Sequence, residues 1–166
     1  DGVCISGGEP TIHPELPSLC REIKALGYPV KLDTNGTNPG LLRELAGEHL
    51  IDYVAMDIKS CPMHYPKLAG ISKPDMDSIQ QSVQWLLANV LPYEFRTTVV
   101  RELHAEEDFI EISRWLAGAS QYYLQAYRDS PQVMRRGYTA CTKEEMEHYL
   151  ELVRSFIPTA QLRGID

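Results

Sequence analysis

The segment Val30-Lys31-Leu32-Asp33-Thr34-Asn35-Gly36 starts as a β-strand and finishes as a polar turn. Its apolar start has strand character, and Asn-Gly supplies the positive φ that a tight turn needs. The strand is read from Pro29 to Asp33, and the plan recurs on both sides of it. Upstream, Val3 to Ser6 runs into Gly7-Gly8-Glu9-Pro10. Downstream, a strand from Asp52 to Lys59 ends on Asp57 and Lys59, one from Glu94 to Val100 contains Arg96, and one from Tyr122 to Tyr127 contains Gln125.

Amphipathic stretches separate these strands. Leu16, Leu19, Ile23 and Leu26 step along one helical face, with Pro14 in the first turn and Gly27 at the end. A short helix holds Leu41, Leu42 and Leu45, and a longer one runs from about Asp75 to Val90. A further helix opens on Glu106-Glu107-Asp108, whose charges favour the positive helix start. The last begins at Thr142-x-x-Glu145, a capping-box pattern, and stops by Pro158. Such alternation predicts parallel strands covered by helices, joined by right-handed crossovers. The expected fold is therefore α/β, in a single domain over residues 1–166. An insertion is expected between Cys61 and Pro74. An irregular loop is expected from Asp129 to Tyr138, including Arg135-Arg136.

Composition narrows the function. The chain has 166 residues, with 16 Lys and Arg against 23 Asp and Glu, a formal net charge of −7. That balance argues against a general nucleic-acid or anionic-membrane binder. Apolar runs are a handful of residues long, as at Trp85-Leu86-Leu87-Ala88, so no membrane span is expected. The opening Asp1-Gly2-Val3-Cys4 has no basic signal-peptide region. It reads directly into a strand, and further sequence upstream is expected. Cys4, Cys20, Cys61 and Cys141 contain no CxxC pair and read as scattered reduced thiols of a cytoplasmic protein. His13, His49, His64, His104 and His148 read as surface or loop residues without ligand-like spacing. No GxGxxG and no Walker-type lysine loop is present, which disfavours Rossmann nicotinamide binding and P-loop hydrolysis.

What remains is a set of polar signals at strand ends. In parallel α/β folds the C-terminal strand ends share a face, and ligands bind there. Each signal has a plain structural alternative: a turn for Gly7-Gly8 or Asp33-Thr34-Asn35-Gly36, an ion pair for Asp57 and Lys59, an edge charge for Arg96, a satisfied amide for Gln125. Their conjunction on one face favours a site. Glycines let a ligand approach the backbone. Glu9 can accept from a ligand ammonium, and Lys59 and Arg96 can hold a carboxylate. The residues thus point to a ligand with an amino-acid moiety.

Ile5-Ser6-Gly7-Gly8-Glu9-Pro10-Thr11, Val30 to Gly36, Ile51 to Lys59, Phe95 to Val100 and Tyr123-Leu124-Gln125 together resemble the radical S-adenosylmethionine enzymes. Within them the sequence is most similar to the activating enzymes of glycyl-radical enzymes, in the branch of the anaerobic ribonucleotide reductase and pyruvate formate-lyase activases. The resemblance implies a partial (βα)6 TIM-like barrel lacking its first βα unit. It implies S-adenosylmethionine bound by Gly7, Gly8, Glu9, Asn35, Lys59, Arg96 and Gln125. Asp33, Thr34, Ala55 and Asp57 would match a monovalent-cation site. The implied partners are a glycyl-radical enzyme as protein substrate and an electron donor such as flavodoxin or ferredoxin.

One departure is large. The family's CxxxCxxC loop, which holds a [4Fe–4S] cluster, does not occur in this sequence. Cys4 is expected to point into packing rather than replace it. The expectation is therefore an N-terminally truncated activase, inactive by itself, that dimerises through an exposed edge strand. The rivals are a radical enzyme acting on a small molecule and a non-catalytic remnant that binds a ligand or protein.

Overall fold

The computed structural model describes residues 1–68, 74–129 and 137–165. Six parallel strands alternate with helices, in chain order, which is the expected α/β class. The chain forms two compact units: residues 1–57 with 75–94, and residues 58–74 with 95–166.

In the first unit, β1 (Val3–Ile5), β2 (Val30–Thr34) and β3 (Tyr53–Asp57) pair in that order. Val3 lies opposite Val30, and Asp33 opposite Ala55. Leu32, Asp33 and Thr34 are buried in succession, as befits a parallel strand covered on both faces. Three helices pack here. α1 (Leu16–Ala25) buries Leu16, Cys20 and Ile23, α2 (Pro39–Gly47) buries Leu42 and Leu45, and a helix over Met76–Leu87 buries Ile79, Val83 and Leu86. Asn38 caps α2 by accepting from the Leu41 amide, and Asp75 caps the Met76 helix by accepting from Ser78.

In the second unit, a short α3 (Tyr65–Leu68) follows β3 in the chain, so the Met76–Leu87 helix is α4. β4 (Tyr93–Val99) enters this unit at Phe95 and pairs with β5 (Tyr122–Ala126), which pairs with β6 (Gln161–Arg163). α5 (Glu106–Trp115) and α6 (Lys143–Arg154) supply Phe109, Ile112, Met146, Leu150 and Val153 to the core. The capping box forms as read: the Glu145 amide donates to Thr142, and the Thr142 amide to Glu145. Tyr122, fully buried, shares a hydrogen bond of 2.7 Å with Thr97, whose hydroxyl lies 2.8 Å from the Ile58 carbonyl. Burial drives the Tyr122 phenol well above its ordinary range.

The five strands read from sequence are present within a residue or two of their limits. β6 and α3 were not anticipated, because three and four residues are too short for periodicity to register. Part of the expected insertion, 69–73, and most of the irregular loop, 130–136, lie outside the described residues.

Candidate functional site

The glycine-rich loop is built by the requirements of its backbone. Gly7 and Gly8 have φ of 103° and 59°, a region L side chains rarely adopt. A Cβ at either would meet nothing within 4 Å, so conformation rather than crowding demands glycine, and the space above the loop is open. Gly36 is different. Its φ is 78°, and a Cβ would lie 2.1 Å from the Met56 methyl. The Ser82 hydroxyl then donates to the Gly36 carbonyl at 2.7 Å, fastening this turn to α4.

Glu9 joins the loop to the tip of β2. Its Oε1 accepts from the Thr11 amide at 3.1 Å, the Thr11 hydroxyl at 2.6 Å and the Thr34 hydroxyl at 2.8 Å. Its Oε2 accepts from the Asn35 amide at 2.5 Å. The negative charge is thus spread over four neutral donors, and both oxygens are engaged. Asn35 is engaged in turn: its Oδ1 accepts from the Thr37 amide at 3.0 Å and the Thr37 hydroxyl at 2.7 Å. The sequence points to Glu9 and Asn35 as ligand contacts and does not reveal this clamp. The signal was visible only as two threonines, each uninformative until the fold brought them to one carboxylate.

Asp33 is buried, accepting from the Ser6 hydroxyl at 2.9 Å and lying 3.7 Å from the Cys4 sulfur. Cys4 is exposed, contrary to the expectation that it points into packing. Thr34 and Ala55 are buried and Asp57 half-buried, at the matching ends of β2 and β3. Among the described residues, Asp33 and Asp57 join no group of three metal-ligating side chains, and the geometry gives the expected monovalent cation no support.

Lys59, Arg96 and Gln125 belong to the second unit. Lys59 is exposed, two residues beyond β3. Its carbonyl lies 3.0 Å from Nε2 of His104, a residue only 7% exposed. His104 is therefore a buried residue of the loop between β4 and α5, and it fixes the Lys59 backbone. Arg96 and Gln125 are half-buried, Arg96 on the face of β4 opposite Phe95, Thr97 and Val99.

A second cluster in this unit was missed. Cys61, His64 and Asp108 place their ligand atoms within 4.8 Å of one another. Asp108 is 3% exposed. Burial would raise its carboxyl, but the Ala105 amide, Cys61 and His64 outweigh it and hold the group below the usual carboxylate range. Burial, and the hydrogen bond to Asp108, push the Cys61 thiol up. Cys61-x-x-His64 was legible in the sequence, whereas Asp108, over forty residues on, was not.

In parallel α/β folds ligands bind outside the C-terminal strand ends, and the open Gly7-Gly8 loop follows β1 at such an end. The sequence matches the family model of the Radical SAM superfamily over residues 1–116, and the chain belongs to that superfamily. It is 30% identical over 173 residues to a Methanocaldococcus jannaschii protein provisionally named a glycyl-radical enzyme activating enzyme, covering all of this chain and 72% of that one. A 59-residue stretch is 46% identical to 7-carboxy-7-deazaguanine synthase of Neisseria meningitidis, covering 36% of this chain and 24% of that enzyme. In fold it is similar to a domain of a pyruvate-formate lyase-activating enzyme from Bacteroides vulgatus, with a TM-score of 0.76, 18% identity and coverage of 98% and 99%. It is also similar to a radical SAM methyltransferase from Sphaerobacter thermophilus, at TM-score 0.78, 15% identity and coverage of 98% and 50%.

The superfamily implies S-adenosylmethionine and a [4Fe–4S] cluster. The open Gly7-Gly8 loop fits close approach of a ligand to the backbone. The cysteines do not fit a cluster: Cys20 and Cys61 are buried, Cys4 exposed and Cys141 half-buried, and the one ligating group among the described residues contains a single cysteine. No helix among the described residues is long and apolar enough to cross a membrane.

Proposed function

We propose that this chain is the S-adenosylmethionine-binding part of an activase that installs a glycyl radical on a partner enzyme. The observation that supports it most is the 30% identity running through the whole chain to the Methanocaldococcus protein of that name. In this reading the Gly7-Gly8 backbone receives the methionyl ammonium end, and Glu9 holds the loop in place for it rather than contacting the ligand. Lys59, Arg96, Asn35 and Gln125 are proposed contacts to the rest of the cofactor. The reading carries with it a protein substrate, a cytoplasmic location and an electron donor such as flavodoxin or ferredoxin. Because its cysteines do not gather, the 166-residue chain alone should not cleave the cofactor.

The test uses the natural protein that contains this sequence, reconstituted anaerobically with iron and sulfide. With reductant and a glycyl-radical enzyme present, 5′-deoxyadenosine and a glycyl-radical signal by electron paramagnetic resonance are expected. A fully loaded cluster with neither product sinks the reading. The local 46% identity to 7-carboxy-7-deazaguanine synthase supports a second reading, a radical enzyme acting on a small molecule. 5′-Deoxyadenosine formed with a small-molecule substrate, and no radical on the partner protein, would favour it.

A further inference from the structure

We propose that Cys61, His64 and Asp108 bind one divalent metal ion of the zinc class. Cys61 Sγ lies 3.1 Å from Asp108 Oδ1, and His64 Nδ1 lies 2.6 Å from the same oxygen. Zinc bonds of about 2.0–2.3 Å in a tetrahedron set ligand-to-ligand separations of roughly 3.2–3.8 Å. The two separations from Asp108 Oδ1 need to open by less than about 1 Å to admit the ion, and the third pair already lies within 4.8 Å. The three atoms are held for the purpose. Asp108 Oδ2 accepts from the Ala105 amide at 2.9 Å, which fixes the carboxylate at the start of α5, and Ser60 Oγ lies 3.4 Å from Oδ1. Outer partners of this kind orient metal ligands.

The donor set selects the ion. Thiolate, imidazole and carboxylate together suit zinc, whereas magnesium and calcium prefer oxygen alone. On binding, Cys61 loses its thiol proton to solvent, and His64 binds through Nδ1 with its proton on Nε2. No electron moves. Two anionic ligands then neutralise the dication, which suits a site where Cys61 and Asp108 are both 3% exposed. The His64 side chain is 51% exposed, giving the ion a path in and a water its fourth position. The ion would tie the segment after β3 to α5. With one cysteine, the site is not a cluster site, and it stands apart from the proposed activase function.

The test is a Co2+ titration of the 166-residue chain carrying Cys4→Ser and Cys141→Ser, followed by displacement with Zn2+. A thiolate-to-cobalt charge-transfer band that saturates at one ion per chain is expected, with visible bands of a four-coordinate site. His64→Ala and Cys61→Ala should each weaken Zn2+ binding about 100-fold or more, since outer-partner losses alone reach that scale. Far-ultraviolet circular dichroism should be unchanged. No charge-transfer band, or Zn2+ binding left undiminished by His64→Ala and by Cys61→Ala, overturns the proposal. Should Cys61→Ala fail to fold, His64→Ala alone decides it, because that side chain is half exposed.

Discussion

Glu9 and Asp108 are both carboxylates that gather hydrogen bonds from distant parts of their own unit, yet their donors differ in kind. Glu9 is met by two backbone amides and two threonine hydroxyls. None of these gives up a proton near neutral pH, so the arrangement is a permanent strut between the glycine loop and β2. Asp108 is met by one amide, a serine, a thiol and an imidazole. The last two can exchange protons for a metal. The same local motif therefore makes a fixed scaffold in one unit and an exchangeable site in the other. The difference lies in donor acidity, not in geometry.

The largest effect should come from Asp108→Asn. An amide nitrogen or weaker acceptor facing several buried donors leaves partners unsatisfied, and a loss of about 3 kcal/mol in urea unfolding is expected. A loss below about 1 kcal/mol would mean that the cluster is looser than its distances suggest. Glu9→Gln should cost about 2 kcal/mol, less because Glu9 is only half-buried. Added Zn2+ should raise the melting temperature of this variant as it does the parent. If it does not, the two carboxylates are not independent.

Asp52 sharpens the contrast with a third donor type. The Lys24 ammonium reaches its two oxygens at 2.7 and 2.8 Å, and the Val30 amide at 2.7 Å. Desolvation raises its carboxyl, but Lys24 and Val30 outweigh that and leave it below the usual range. A depressed folded value stabilises the fold above the unfolded pKa, near 4, and that stability is lost as pH falls through the lower folded value. Unfolding titrated between pH 5 and 2 should show this loss in the parent and less of it in Asp52→Asn. The effect should be small and shrink with salt, since the pair is partly exposed. An unchanged slope would remove Asp52 from the comparison.

Much of this was legible residue by residue. Thr142-x-x-Glu145 fixes a helix start through contacts three residues apart, and it formed as read. The Asn35-Gly36 turn is similarly local, although only the fold shows that a Cβ at Gly36 would run into the Met56 side chain. The partners of Glu9 were not legible, because a carboxylate beside glycines looks available until its donors are found. Cys4 was placed wrongly because burial is decided by neighbours far along the chain.

The alternation of strands with helices, the turns and the caps follow from sequence alone, because each rests on backbone preferences and contacts within a few residues. Which carboxylate became a strut and which a cluster was decided only by the tertiary structure. Those roles depend on distant donors, 25 to 48 residues away, as well as near ones, and nothing local records which distant groups packing will bring within hydrogen-bond reach.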